Sequence, residues 1–278
     1  MPVRIVQSKQ NARLKELRKA LAQPLRGGRA LAGIEGPNLL EEAHRSGLAI
    51  QCVFAVQGAA PFLNQFSLPA ETEVLLFPRE VLTAALATEA PQPVAALVEP
   101  PDWTWAHLLS PHQGGPALVV LLAGLQDPGN LGTILRSAEA FGATGVVSLP
   151  GTVSAWNPKA VRASAGSLFR VPLIVSGERA CWDELREAGV RIVATTAYAA
   201  QPASLADLTG PVALLIGNEG NGISGDLAAQ VDAAVTIPCP GPVESLNAGV
   251  AASILLYEAA QQRSAHAGGP PEHRGARR

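Results

Sequence analysis

Near its C-terminus the chain reads IPCPGPVESLNAGVAASILLYE, over residues 237–258. Two earlier segments have a similar character, LQDPGNLGTILRSAEAFGATGVV over residues 125–147 and LLIGNEGNGIS over residues 214–224. In each segment, glycines and polar residues lie beside an apolar run with the composition of a buried strand. Segments that leave the carboxyl ends of parallel strands converge on one crevice. The sequence therefore predicts one site that collects the polar residues of all three segments: Asn130, Arg136, Glu219, Ser245 and Asn247.

From residue 117 onward, apolar strand-like runs alternate with helical segments. The strands are expected near residues 117–122, 146–149, 171–175, 191–196, 212–216 and 234–237. Such strict alternation predicts a parallel sheet that is covered by helices on both faces. No Gly-x-Gly-x-x-Gly follows the first of these strands, which argues against a nucleotide-dependent enzyme of the Rossmann type.

The three segments resemble the motifs of the SpoU (TrmH-type) RNA 2′-O-ribose methyltransferases, a branch of the knotted methyltransferases. The match rests on Asn130 with Arg136 six positions later, on Gly-x-Glu-Gly at 217–220, and on Ile-Pro followed by Ser-Leu-Asn at 245–247. The resemblance extends across most of the chain. It implies an α/β fold in which a parallel-sheet domain with a deep trefoil knot follows a smaller α/β/α substrate-binding domain.

The resemblance also implies a cofactor, S-adenosyl-L-methionine, held mainly by backbone groups of the knot. The cofactor positions carried over from the family are Thr195, Thr196, Gly217, Ile237 and Leu246. Backbone binding accounts for the glycine and the apolar residues, because adenine fits a flat apolar slot edged by main-chain donors and acceptors.

The resemblance assigns Arg136 as the residue that activates the ribose 2′-hydroxyl. Residues 117–262 contain no histidine, so imidazole acid/base catalysis is excluded there. A guanidinium stays protonated and accepts no hydrogen bond. We therefore expect Arg136 to clamp an RNA phosphate and to stabilise the developing alkoxide, with deprotonation by water or phosphate left open. The alternative for Arg136 is a surface pair with Glu139. Asn130 is expected to cap its helix and orient Arg136, and Glu219 to hold Arg136 or a ribose.

Charge is distributed unevenly along the chain. Residues 1–29 carry eight Lys or Arg and one Glu, and residues 263–278 carry four and one, although the net charge of the whole chain is −2. Basic ends suit phosphate contacts, whereas the alternative is a solvated helix face and a frayed tail. A basic amphipathic helix is expected over residues 11–21. The residues proposed to contact RNA are Lys9 and Arg13 near this helix, and Lys159, Arg162 and Arg170 in the segment NPKAVRASAGSLFRVP, which also matches the family.

Four regions are predicted. Residues 1–98 form the basic helix and a ribosomal-protein-like RNA-binding domain, and residues 99–116 form a proline-rich linker. Residues 117–262 form the methyltransferase domain, and residues 263–278 form a basic tail that is expected to be disordered. The stretch GIEGPNLLEEA in the first domain matches the family more loosely, and its Glu35 and Asn38 are interpreted as helix caps or as RNA-facing groups.

The cysteines Cys52, Cys181 and Cys239 are isolated in sequence, so neither a disulfide framework nor a zinc site is predicted, and no metal is expected. Cys239 is expected to be a buried small apolar residue. There is no 18-residue apolar run and no signal peptide, so a cytoplasmic protein without a membrane partner is expected.

The predicted function is S-adenosylmethionine-dependent methylation of a ribose 2′-hydroxyl. Ribosomal RNA is the expected substrate, because a substrate-binding domain precedes the catalytic one. The alternatives are a transfer RNA 2′-O-methyltransferase and a non-catalytic RNA-binding protein of the same fold; the intact set of polar residues argues against the latter. The family also implies a homodimer, and the small residues of the last helix, NAGVAASILLYEAA, suit either a dimer contact or an internal one.

Overall fold

The computed structural model describes residues 3–22, 31–86, 88, 90–110 and 115–268. These residues divide into two compact units, which we call the N-terminal and C-terminal units. The N-terminal unit comprises Met1–Asp102 and Ser154–Arg170, and the C-terminal unit comprises Trp103–Val153 and Val171–Arg278. The segment Ser154–Arg170 thus groups with the N-terminal unit, whereas the sequence-based division assigns it to the methyltransferase domain.

A five-stranded mixed sheet forms the centre of the N-terminal unit. Its strands are β1 (Val3–Ile5), β2 (Ala32–Glu35), β3 (Ile50–Val56), β4 (Glu73–Phe77) and β5 (Val94–Val98). They lie in the order β1-β4-β3-β5-β2, with β1, β4 and β3 parallel and with β5 antiparallel to both of its neighbours. The helices are α1 (Ala12–Ala22), α2 (Pro37–Arg45), α3 (Ala60–Leu63) and α4 (Arg79–Thr83).

The basic helix α1 is part of the core of this unit. Its apolar residues Leu14, Leu17 and Leu21 are buried, as their helical spacing predicts, and share one apolar cluster with side chains of β3, β4 and β5. On its other face, Arg13 donates from Nε to Glu73 at 3.1 Å and from Nη1 to Glu16 at 2.9 Å. Deletion of the helix would therefore open the core as well as remove charge.

A six-stranded parallel sheet forms the centre of the C-terminal unit. Its strands are β6 (Leu118–Leu122), β7 (Gly145–Ser148), β8 (Leu173–Val175), β9 (Arg191–Thr195), β10 (Val212–Ile216) and β11 (Ala233–Val235). They lie in the order β11-β9-β10-β6-β7-β8, and every pairing is parallel. The predicted α/β fold with a parallel sheet is confirmed.

Six further α-helices occur among the described residues. They are α5 (Trp105–Leu109), α6 (Pro128–Ala140), α7 (Pro158–Ser164, in the N-terminal unit), α8 (Glu178–Glu187), α9 (Gly225–Ala228) and α10 (Ala248–His266). None of the helices within the described ranges is both long enough and apolar enough to cross a membrane.

The segment that carries α7 is held to α2 by an arginine. Arg170 donates from Nη1 to Glu42 Oε2 at 2.7 Å and to Ser46 Oγ at 3.0 Å. Glu42 also accepts a bond from Arg45 on its other oxygen. A carboxylate shared by two guanidiniums explains why this segment groups with the N-terminal unit.

Two predicted boundaries differ from the structure. The predicted linker contains α5, whose Leu108 is fully buried in the core of the C-terminal unit. The predicted tail begins inside α10, which continues to His266, while residues 269–278 lie outside the described residues. In each case a side chain with tertiary partners, the buried Leu108 or the hydrogen-bonded Arg263, orders a segment whose composition is that of a linker or a tail.

Arg263 of α10 ties the helix to the segments that lead into β6 and β10, the two central strands of the sheet. Its guanidinium donates to the carbonyl oxygens of Pro116 at 2.7 Å, Ala117 at 3.0 Å, Leu208 at 3.0 Å and Gly210 at 2.6 Å. Burial lowers its pKa, but the four acceptors offset much of the desolvation. This residue therefore closes the C-terminal unit and does not belong to a free basic tail.

We predict that Arg263→Lys destabilises the C-terminal unit by about 2–3 kcal/mol, because an ammonium group cannot span four carbonyls and leaves some unsatisfied. Urea unfolding monitored by tryptophan fluorescence measures the change. The control is Arg179→Lys, since the Arg179 side chain is 97% exposed. Equal midpoints for the two variants would contradict the role given to Arg263.

Candidate active site

The site lies between β6 and β10, which are neighbours in the C-terminal sheet. The chain runs from β6 to β7 and β8 on one side, and β9, β10 and β11 occupy the other side. The strand order therefore reverses between β6 and β10, and the crevice at the carboxyl ends of such strands is where open α/β sheets bind ligands.

Three side chains, one from each segment predicted to meet here, form a continuous hydrogen-bonded network. Asn130 on α6 donates from Nδ2 to Glu219 Oε1 at 3.0 Å, and Asn247 donates from Nδ2 to Asn130 Oδ1 at 2.8 Å. We call Glu219, Asn130 and Asn247 the motif network. It joins the loops after β6 and β10 to the start of α10.

Glu219 accepts two further bonds from the backbone. The N–H of Asp127 donates to Oε1 and that of Gln126 to Oε2, both at 3.1 Å. Burial alone would raise the pKa of Glu219, but the hydrogen bonds from Asn130, Gln126 and Asp127 outweigh it and lower the pKa below its ordinary value. Glu219 is therefore an ionised anchor for the loop before α6.

The helix cap of α6 differs from the prediction. Asp127 is the N-cap and accepts a bond from Gly129 N at 2.6 Å, whereas Asn130 lies inside the first turn and is 8% exposed. Asn130 is thus neither the cap nor a partner of Arg136. The signal for Asp127 was present in the sequence, since an Asp directly before a Pro is a typical helix start.

Asn218 is a further organising residue that the sequence analysis missed. Its Nδ2 donates to Gly124 O at 2.7 Å, and its Oδ1 accepts bonds from the backbone N–H groups of Gly220 and Asn221. It folds the glycine loop around itself and so fixes the direction in which Glu219 points. Asn side chains bond nearby backbone in this way in many turns, which was the available signal.

The loop before α10 contains a pair of the predicted polar residues, Ser245 and Asn247. Asn247 is the N-cap, with Oδ1 accepting bonds from Gly249 N at 2.9 Å and Val250 N at 3.2 Å. Ser245 is exposed, and its hydroxyl has no hydrogen bond within the described residues. Ser245 is thus the member of the pair that can face a substrate.

The small face of α10 packs against α6 within the chain. A Cβ added at Gly249 would lie 3.3 Å from the Cβ of Thr133, and the hydroxyls of Ser137 and Ser253 are 2.7 Å apart. The small residues at the start of α10 therefore serve an internal contact. The exposed apolar residues of α10 are Val250, Ile254 and Tyr257.

Arg136 lies on α6 but not in the motif network. Its side chain is exposed, and it makes no hydrogen bond or ion pair with any part of the chain that the structure describes. The predicted partners Asn130 and Glu219 bond each other instead. The Arg136 guanidinium is thus open to solvent, whereas Asn130, Glu219 and Asn247 are bonded to one another.

Three of the predicted cofactor residues follow neighbouring strands. Thr195 ends β9, Gly217 follows β10 and Ile237 lies two residues after β11. The hydroxyl oxygen of Thr195 is buried and has no hydrogen-bond partner within the described residues. A Cβ at Gly217 would lie 2.5 Å from the carbonyl carbon of Gly222, so only glycine fits there. An unsatisfied buried hydroxyl beside close-packed backbone is suited to a ligand held by main-chain groups.

The other two predicted cofactor residues lie in adjoining segments. Thr196 donates from its backbone N to Val235 O at 3.0 Å, and its hydroxyl accepts a bond from Tyr198 N. Leu246 is half-buried in the loop before Asn247. Thr196 is therefore tied to the neighbouring edge strand, while the Thr195 hydroxyl is the unpaired one of the two.

The predicted RNA contacts are not part of this site. Lys9, Arg13, Lys159, Arg162 and Arg170 all lie in the N-terminal unit. Lys9, Lys159 and Arg162 are exposed, while Arg13 and Arg170 bind carboxylates of the same unit.

The cysteines divide into two kinds. Burial raises the pKa of Cys52 and of Cys181 to about 12, so these thiols stay protonated. Cys239 is exposed, and the expectation that it is buried is wrong. No cluster of His, Cys, Asp or Glu that could hold a metal ion occurs among the residues that the structure describes.

Comparison with known proteins identifies the family. The sequence model of the SpoU rRNA Methylase family matches residues 117–257, which contain the whole motif network. The chain belongs to the SpoU rRNA methylase family. It is 31% identical over 253 residues to a protein of Bacillus subtilis named 23S rRNA (guanosine(2553)-2′-O)-methyltransferase RlmP, an alignment that covers 91% of this chain and 97% of the relative.

Solved structures of SpoU proteins share the fold along almost the whole chain. The SpoU methyltransferase AviRb from Streptomyces viridochromogenes, in complex with AdoMet, has a TM-score of 0.78 and 30% identity, covering 94% of this chain and 100% of that one. An AdoMet-bound rRNA methyltransferase from Sinorhizobium meliloti has a TM-score of 0.79 and 28% identity, covering 93% and 98%. S-adenosylmethionine is the cofactor of this SpoU family, and the residues around Thr195 and Gly217 fit a ligand bound by backbone groups.

We predict that Asn130→Ala raises the pKa of Glu219 towards its ordinary value, because a donor to the ionised form is removed. A lowered pKa stabilises the fold above the ordinary carboxyl pKa and loses that effect as the pH falls through the folded value. The variant should therefore keep less of this stabilisation at neutral pH. Carboxyl NMR titration measures the shift, with Thr133→Ala on the same helix as control. An unchanged pKa in Asn130→Ala would disprove the assignment.

Proposed function

We propose that this protein transfers a methyl group from S-adenosylmethionine to a ribose 2′-hydroxyl of ribosomal RNA. The observation that carries the proposal is the motif network, which brings the three sequence segments of the family into one crevice. The relatives named as 23S rRNA 2′-O-methyltransferases support ribosomal RNA over transfer RNA as the substrate.

Arg136 is the proposed catalytic residue. A guanidinium remains protonated at any working pH, so it cannot remove the proton of the 2′-hydroxyl. It can bind a phosphate beside the target ribose with two parallel hydrogen bonds and stabilise the charge that develops on the 2′-oxygen. The absence of an internal partner within the described residues leaves the group ready for this contact.

Glu219, Asn130 and Asn247 are positioning residues in this proposal. Glu219 already accepts three hydrogen bonds and has a lowered pKa, so it is a poor general base. Its negative charge instead holds the loop before α6, the helix that presents Arg136. Ser245, with its exposed hydroxyl, contacts the substrate. Positioning of this kind contributes to rate because the attacking oxygen must be in line with the methyl group.

The cofactor supplies an activated methyl group on a sulfonium centre. The residues proposed to hold it are Thr195, Thr196, Gly217, Ile237 and Leu246. The buried hydroxyl of Thr195 offers a hydrogen bond, and the tight backbone at Gly217 lets main-chain groups approach the ligand. Membership of the family also leads us to propose that the segment from Thr236 to α10 is knotted.

A homodimer is also proposed, on the exposed stripe of Val250, Ile254 and Tyr257. These residues lie at helical spacing on one face of α10 and are 45%, 38% and 49% exposed. Apolar residues at such spacing are typical of a helix that packs against a partner. The proposed location is the cytoplasm, where ribosomal RNA is found.

The direct test is methyl transfer to RNA in vitro. Purified protein is incubated with labelled S-adenosylmethionine and either unmodified ribosomal RNA or transfer RNA, and digests are analysed by mass spectrometry. A 2′-O-methylnucleoside in ribosomal RNA is expected. Incorporation only into transfer RNA would reject the substrate, and incorporation into neither would reject the activity.

We predict that Arg136→Ala reduces methyl transfer by a factor of about 100 or more while cofactor affinity changes less than a few-fold, since the cofactor residues follow other strands. Transfer assays and calorimetry with S-adenosylmethionine measure the two quantities. Arg179→Ala removes an exposed arginine elsewhere and serves as control. Loss of cofactor binding in proportion to loss of rate would refute this division of roles.

We predict that Ile254→Glu yields a monomer that loses activity, because a charge would be buried in the proposed interface. Leu205→Glu adds the same charge at another exposed apolar position, 74% exposed, and should leave the assembly unchanged. Sedimentation measures both. A wild-type protein that is active as a monomer would rule out the dimer.

A further inference from the structure

A groove of about 580 Å³ lies in the N-terminal unit, at the start of α2. It is lined by Glu35, Asn38, Glu41, Gln92 and Arg162, among other residues. Its volume lies in the range of pockets that hold a small organic group. Its residues belong to the N-terminal unit, whereas the proposed cofactor and catalytic residues belong to the C-terminal unit.

Glu35 is the unusual group in the groove. It is only 6% exposed, yet it is a carboxylate, and such side chains are seldom buried unless they are paired. Its Oε1 accepts bonds from Thr88 Oγ1 at 2.6 Å and from Gln92 N at 3.0 Å. Its Oε2 has no hydrogen bond within the described residues. One oxygen is held in place, and the other remains an acceptor.

Some of the charged side chains around the groove are paired with each other, and others are not. Glu41 and Glu42 are both paired with Arg45, and Glu42 is also paired with Arg170. Arg162 is exposed and makes no bond with the residues that the structure describes. One carboxylate acceptor and one guanidinium are therefore available to a ligand.

We propose that this groove binds a single unpaired nucleotide of the RNA substrate, with a base that carries an exocyclic amino group. The amino group donates to Glu35 Oε2, as carboxylates accept from the N4 amine of cytosine. Arg162 binds the adjoining phosphate. An unstacked base of this kind is what proteins read in single-stranded RNA. The inference rests on the proposed function, because it deepens how that enzyme selects its substrate.

The substitution Glu35→Gln gives a sharp test, because it should change which base is preferred and not only how tightly RNA binds. Gln92 N can only donate, so the amide oxygen must replace Oε1. The amide NH₂ then takes the place of Oε2 and offers a donor instead of an acceptor. A base with an amino group becomes a poor partner, while uracil, with its O4 acceptor, becomes a better one.

The experiment uses fluorescently labelled RNA decamers of cytidine, adenosine and uridine with the full-length protein, and measures anisotropy. The wild-type protein should bind the cytidine decamer and the adenosine decamer each roughly tenfold more tightly than the uridine decamer. Glu35→Gln should abolish or reverse this preference. Glu41→Gln is the matched control, because it removes the same charge from the same groove at a paired residue. It should keep the wild-type preference.

A second variant tests the phosphate contact. Arg162→Gln should weaken binding of all three decamers alike and reduce the slope of log affinity against log salt by about one. Lack of base preference in wild type, or equal behaviour of Glu35→Gln and Glu41→Gln, would overturn the proposal. Methyl transfer by wild type to ribosomal RNA is measured in parallel. Absence of transfer would reject the proposed function, whereas transfer without base preference in the groove would reject this inference alone.

Discussion

The hydrogen bond from Asn130 to Glu219 is the contact on which the rest of the site depends. It crosses the crevice between β6 and β10, where the strand order reverses, and joins two segments 89 residues apart. Glu219 also accepts two backbone N–H groups from the loop before α6, so its carboxylate fixes that loop. The same Asn130 then accepts from Asn247, which caps α10. A single amide, with its donor and acceptor both used, therefore fixes the starts of two helices and one glycine loop.

Much of this could be predicted from sequence, because the signals are local and physical. Alternation of apolar runs with helices predicted the parallel sheet, and the strand positions follow from it. Convergence of the three segments followed from the geometry of such a sheet. What failed were assignments that depend on partners distant in sequence. Asn is a common N-cap residue, but Asp127 is the N-cap of α6. Asn130 instead bonds Glu219, which is 89 residues away and could not be identified from the local sequence.

The same limit explains the segments with misleading composition. Arg263 lies in a basic stretch that resembles a tail, yet its guanidinium donates to four carbonyls in the segments that lead into β6 and β10. Leu108 lies in a proline-rich stretch but is fully buried. In both cases one side chain with many partners orders a segment whose average composition indicates a linker. Average composition predicts whether a segment would be ordered in isolation. Tertiary contacts override that tendency.

The residues of the motif network are hydrogen-bonded to one another, whereas Arg136 is not bonded within the described residues. This difference suits the chemistry of the proposed reaction. Methyl transfer from a sulfonium needs an oxygen held in line, which favours a fixed framework of paired groups such as Glu219 and Asn247. In the proposed mechanism a cation also binds an RNA phosphate, whose position is set by the RNA. A guanidinium tied into the network would have to break those bonds for each substrate. Arg136 lies on the helix that the network anchors and is unbonded within the described residues, so it retains the hydrogen-bonding capacity that the proposed phosphate contact requires.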